Sequence, residues 1–133
     1  MSDTLQFTRY PELDFTLFVG GPELTLAGWM EAMEAYAAAG ATRHELYDLR
    51  LVGDGIGPDE VRQLVDHAKK SSHLREPGSM TALCVTREVQ VGLSRMYELS
   101  TEGHVNWETA VFVDMEAART WLGIDLAGVE GIN

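Results

Sequence analysis

The sequence predicts an α/β domain built on a mostly parallel sheet, and three observations carry that prediction. Thr81-Ala82-Leu83-Cys84-Val85-Thr86 is an uncharged run of strand length bounded by the turn residues Pro77-Gly78-Ser79, as suits a strand buried on both faces. It feeds directly into Arg87 to Leu99, where Val89, Gly92, Leu93, Met96 and Tyr97 recur at helical spacing. A buried strand passing into an amphipathic helix is half of a parallel βαβ unit. The same alternation recurs along the chain, giving the order ββαβαβαβα.

Taken in order, Leu5 to Tyr10 alternates as a half-buried strand, and Phe15 to Val19 follows as a stronger one across the break Pro11-Glu12-Leu13-Asp14. Two such runs predict an antiparallel hairpin. Gly20-Gly21-Pro22 ends it. The Thr25 hydroxyl caps a predicted helix whose stripe is Leu26, Trp29, Met30, Met33 and Ala37, with Gly40 as its stop. That Met and Trp stripe reads as core packing. Leu46 to Leu51 is the third strand, with Tyr47, Leu49 and Leu51 on one face and Asp48 and Arg50 on the other, two residues apart and within ion-pair reach.

Gly53-Asp54-Gly55-Ile56-Gly57 reads as a turn, since it lacks the lysine and hydroxyl of a phosphate-binding loop and carries acids beside it. Pro58 starts the next helix, with Val61, Leu64, Val65 and Ala68 inward. The cations between Arg62 and Arg75 are interleaved with acids and read as a solvated face. Trp107 to Val113 is the fifth strand, and Asp114 caps a last helix over Met115 to Leu122, whose inner face is Met115, Ala118 and Leu122. The tail 123–133 is too rich in glycine for a helix, although Leu126, Val129 and Ile132 can anchor it. The whole is one domain, 1–133, with a core of about 5–122.

Right-handed crossovers between strands in chain order put their helices on one sheet face. The other face, to which Phe18, Leu46, Ala82, Cys84, Ala110 and Phe112 are available, then needs the tail, a second subunit or a ligand to cover it. A weak homodimer and a docked tail are both expected.

Composition excludes several functions. With 10 basic against 21 acidic residues, the net charge of −11 repels phosphate backbones and anionic leaflets, so no nucleic acid partner is expected. No apolar run reaches spanning length and no signal peptide is read, so the expectation is cytoplasmic, without stable membrane insertion. The lone Cys84 precludes an intrachain disulfide and reads as inert core. His44, His67, His73 and His104 offer no pair at metal-binding spacing, and no nucleophile elbow or triad can be assembled. No metal, cofactor or enzymatic activity is expected.

Four segments, Leu46 to Arg50, Ala82 to Thr86, Val91 to Glu98 and Val111 to Leu122, together resemble the bacterial SpoIIAA-like (STAS-like) proteins. The likeness runs from about Leu17 to Leu122 and is most specific in the helix Gly92-Leu93-Ser94-Arg95-Met96-Tyr97-Glu98 and in the ending Val111 to Leu122. It implies the βα superhelix of anti-sigma factor antagonists, with about five strands and four helices, and a likeness to CRAL-TRIO lipid carriers. The function implied is a non-enzymatic regulatory or protein-binding domain, or a carrier or sensor of a small apolar, lipid-like ligand. Anti-sigma factor antagonists carry a phosphorylatable serine in the loop after the third strand. The loop Gly53 to Asp59 has no serine or threonine, which argues against such control.

Ligands of open α/β sheets bind at the carboxyl ends of the strands. The candidate site there is Asp48, Arg50, Asp54, Thr86 and Arg87. Arg50 and Arg87 would hold an anionic headgroup or a partner carboxylate, unless Arg50 is simply paired with Asp48.

Overall fold

A computed structural model describes residues 3–132. It has the expected α/β architecture: one five-stranded sheet in the order β1-β2-β3-β4-β5 with four helices. β1 (Leu5–Tyr10) pairs antiparallel with β2 (Phe15–Gly20). β3 (His44–Asp48), β4 (Ser79–Cys84) and β5 (Trp107–Phe112) continue the sheet in parallel. The strands are connected through α1 (Leu26–Ala39), α2 (Pro58–Ser71) and α3 (Glu88–Thr101), and α4 (Met115–Leu122) follows β5.

The predicted caps are present. Thr25 Oγ1 accepts from the Gly28 amide at 3.1 Å, and Asp114 Oδ1 accepts from the Glu116 amide at 3.0 Å. At the start of α2 the Glu60 carboxylate reaches back to the Gly57 amide at 2.8 Å. The glycine loop has a packing reason: a Cβ at Gly53 or Gly55 would collide with the carbonyl oxygens of Pro22 and Leu24, which the loop passes closely.

Strand pairing sorts the side chains into two cores. On one face, under α1, α2 and α3, lies the row Phe18, Tyr47, Leu83 and Val111. On the other lie Phe15, Leu17, Leu46, Ala82 and Cys84. Phe18 therefore belongs to the helical face, contrary to the sequence expectation. It opposes Tyr47 across β2 and β3 and stacks on it at 4.2 Å and 4°.

The second face is closed by the chain itself. Met115, Ala118 and Leu122 of α4 pack on it, and beyond them the tail seats Leu126, Val129 and Ile132, exposed by 2, 7 and 1%. The docked tail is thus found, and the need for a second subunit on this face disappears. Self-association would have to use other surfaces, where Val19, Leu51, Leu74, Val89, Leu99 and Val113 are the large exposed apolar side chains among the described residues.

Two further expectations shift by part of a turn. In α1 the buried positions are Gly28, Ala32 and Tyr36, while Trp29 and Met33 are only half-buried and Ala37 is exposed. In α3 the buried positions are Gln90, Ser94 and Thr101, with Val89 54% exposed. The predicted stripes still reach the core from its edge: Leu26, Trp29, Met30 and Met33 of α1 and Leu93, Met96 and Tyr97 of α3 are partly buried and pack against it.

Candidate functional site

One row of the helical face is polar although it is buried. Pairing sets Thr16, Glu45, Thr81 and Thr109 side by side across four strands, each less than 9% exposed. An unpaired carboxylate in such a place would cost several kcal/mol. Arg75, from the turn that follows α2, supplies the counter-charge: its Nη1 lies 3.2 Å from Glu45 Oε1, and both side chains are 5% exposed. The same guanidinium donates to Thr81 Oγ1 at 2.6 Å and to the carbonyls of Thr42, Arg43 and Met80 at 3.2, 2.9 and 3.1 Å. It also lies 5.0 Å from the centre of the Trp107 ring. Glu45 Oε2 accepts from the Tyr36 hydroxyl at 2.7 Å, and Oε1 accepts from Thr81 at 3.1 Å. The pair spends its hydrogen-bonding capacity on protein groups.

The charged run Arg62 to Arg75 is therefore not solvated throughout, because its last member is a buried strut. Glu45 and Arg75 are the residues that sequence reasoning missed. The available signal was the phase of Glu45: it shares its strand face with Tyr47 and Leu49, so a charge stood on the apolar side of the strand.

Above this row the helices part. α2 packs on α3, whereas α1 lies mainly against β1, and a cleft of about 180 Å3 opens between α1 and α2. Its α1 wall is Trp29, Met33 and Ala37, of the stripe that the sequence assigns to core packing, with the exposed Glu34 beside them, and its α2 wall is Leu64, His67 and Ala68. Tyr47, Tyr97, Trp107 and the Glu45–Arg75 pair form the floor, and the half-exposed Leu74 stands at the edge. Trp29 stacks on Tyr47 at 5.7 Å and 17°. A narrower pocket of about 50 Å3 adjoins the cleft and shares Trp29, Leu64, Leu83 and Tyr97 with it. A larger hollow of about 530 Å3 beside β5 is lined by Arg95, Glu98, Glu102 and Glu108, mostly exposed charges at a sheet edge. Volume favours that hollow, but burial and aromatic lining favour the cleft.

Burial governs the tyrosines here. It pushes the Tyr36 hydroxyl up to about 12, with the Glu45 carboxylate adding to the rise, and it raises Tyr47 and Tyr97 above their ordinary value for the same two reasons. All three hydroxyls stay protonated at neutral pH. Unfolded tyrosines release their protons near pH 10. The folded state holds them, so this stability is present below pH 10 and is lost as pH rises towards 12. Urea unfolding at pH 9 and 11.5 should show the midpoint falling, and Tyr36→Phe should reduce the fall. An unchanged midpoint would contradict it.

The residues singled out at the carboxyl ends of the strands lie apart from the cleft, as two ion pairs. Arg50 forks onto Asp48, Nε to Oδ1 and Nη2 to Oδ2, both at 2.9 Å, and Asp48 is buried. Arg87 Nη2 meets Asp54 Oδ1 at 3.1 Å, with both side chains well exposed. Thr86, just past β4, donates to the carbonyl of Arg50, just past β3, at 3.3 Å. Cys84 is fully buried on the opposite face, and burial raises its thiol, as expected of an inert side chain. Arg95 pairs loosely with Glu98 at 3.7 Å on the surface. Among the described residues no cluster of histidine, cysteine and carboxylates is fit for a metal, and no helix is long and apolar enough to cross a membrane. No family model, no curated protein and no solved structure matches the chain.

Proposed function

We propose that this chain is a non-enzymatic binding domain, and that the cleft between α1 and α2 takes a small, mainly apolar ligand, so that the protein carries or senses it. The observation behind this reading is the separation of α1 from α2, which leaves about 180 Å3 over a closed polar floor. A cavity of about 150 Å3 lined by apolar side chains is enough to bind benzene. The ligand is neutral in this reading, since Glu45 and Arg75 already compensate each other. This is also the carrier role that the CRAL-TRIO likeness implies.

Native mass spectrometry of the purified protein, followed by solvent extraction, tests it. The expected result is an adduct of one ring or a short chain that Ala37→Trp abolishes. Ala37 is exposed on the α1 wall, so a large side chain there closes the cleft without disturbing the core. A protein that is bare as purified and takes up no added apolar compound would contradict the reading.

A second reading, the STAS-like regulatory domain that docks a protein partner, is favoured by the rim at the carboxyl ends of the strands. Exposed Leu51, Val89 and Val113 follow three adjacent strands there, beside Arg50 and Arg87. Under that reading Arg50→Ala with Arg87→Ala should weaken partner binding at least tenfold in a calorimetric titration, and an unchanged affinity places the contact elsewhere.

A further inference from the structure

Gln90 is a polar side chain in the first turn of α3, 7% exposed, and it lines the narrow inner pocket. Its amide nitrogen donates to two carbonyls, Val52 O at 3.0 Å and Gly53 O at 3.2 Å. These bonds fix which way the amide points, because the flipped form would set its oxygen against two carbonyl oxygens. Gln90 Oε1 is consequently a buried acceptor of known orientation, and it has no hydrogen-bond partner among the described residues. Around it the pocket is mainly apolar, with Leu49, Val52, Val85 and Leu93 as walls and Ser94, one turn along α3, as the other small polar side chain. A buried acceptor left unmatched costs about 1–3 kcal/mol, so a molecule that supplies the missing donor gains by doing so.

We infer that the ligand of the cleft carries a hydrogen-bond donor, a hydroxyl or an N–H, on an arm that enters the inner pocket and meets Gln90 Oε1. The inference rests on the ligand-carrier reading above and names the chemical class: a neutral ring or short chain ending in an alcohol or a similar donor. The dimensions agree. The cleft of about 180 Å3 takes one ring, and the adjoining pocket of about 50 Å3 takes a substituent of a few atoms. An acidic end group fits poorly, because a carboxylate would set oxygen against oxygen at Gln90, and Arg75 is already committed to Glu45, Thr81 and three carbonyls.

The test uses 2-phenylethanol and propylbenzene, which differ by a hydroxyl in place of a methyl group. Both are titrated into 15N-labelled protein, wild type and Gln90→Met, and followed at the Trp29 indole and the Gln90 side-chain amide. The ratio of the two dissociation constants should shift against the alcohol by about three- to tenfold in Gln90→Met. In the wild type the Gln90 amide signal should move with the alcohol and stay still with propylbenzene, a readout that holds even where the variant fails to fold. If both probes saturate the Trp29 signal with no preference at Gln90, the donor inference falls while the cleft reading stands, the oxygen then being satisfied by solvent. If neither probe saturates any signal, both fall.

Discussion

Arg75→Ala should lower the unfolding free energy by about 3–5 kcal/mol, the usual cost of stripping a buried charge of its partner. The reason lies in what the guanidinium touches. It neutralises Glu45 at 3.2 Å and ties the turn after α2 to the carbonyls of Thr42, Arg43 and Met80. Removing it leaves a carboxylate and three acceptors with less than they need. Two controls separate these terms. Lys69→Ala, on the exposed side of α2, should change stability by less than about 0.5 kcal/mol. Glu45→Met with Arg75→Met should recover only part of the loss, since the charge problem disappears but the Thr42 and Met80 carbonyls still lose a donor, while the Arg43 carbonyl keeps the Met80 amide at 2.8 Å. Chemical denaturation measures all four proteins. Full recovery in the double variant would mean that the carbonyl bonds contribute little.

The second large effect belongs to the tail. Leu126→Ala should cost about 2–5 kcal/mol, as expected for a large-to-small change at a site 2% exposed. Deleting the residues after Gly123 should do more, because it also removes Val129 and Ile132 from the core cluster that holds Phe15, Leu17 and Leu46. Thermal unfolding of the two variants beside the full chain checks this. An unchanged melting temperature after the deletion would show that the tail is not held as the structure has it.

Much of this architecture is legible in the sequence because it depends on local signals. The Thr25 and Asp114 caps, the hairpin at Pro11 to Asp14 and the Asp48–Arg50 pair are short-range features, and each is present. Tail anchoring by Leu126, Val129 and Ile132 follows from their being the apolar side chains of an otherwise glycine-containing end. The cleft is not legible in the same way. It exists because α1 and α2 stay apart, a property of how two helices sit on a sheet rather than of either helix alone. Trp29 and Met33 look the same in sequence whether they meet a neighbouring helix or an opening. Phe18 escapes the sequence reading for a related reason: β2 is buried on both faces, Phe15, Leu17 and Phe18 are all apolar, and the buried Thr16 sits on the face of Phe18, so alternation does not tell the faces apart. Arg75 looked like its neighbours in a charged run, and only the phase of Glu45 hinted at a buried partner.

Titrating benzene into the 15N-labelled protein tests the ligand-binding reading most directly, because the three tryptophans report on different places. Trp29 and Trp107 line the cleft, while Trp121 packs against Phe112 on the opposite face at 5.7 Å. The account predicts saturable shifts of the Trp29 and Trp107 indole signals with the Trp121 signal unmoved. Shifts that grow linearly without saturation, or that appear first at Trp121, would contradict it.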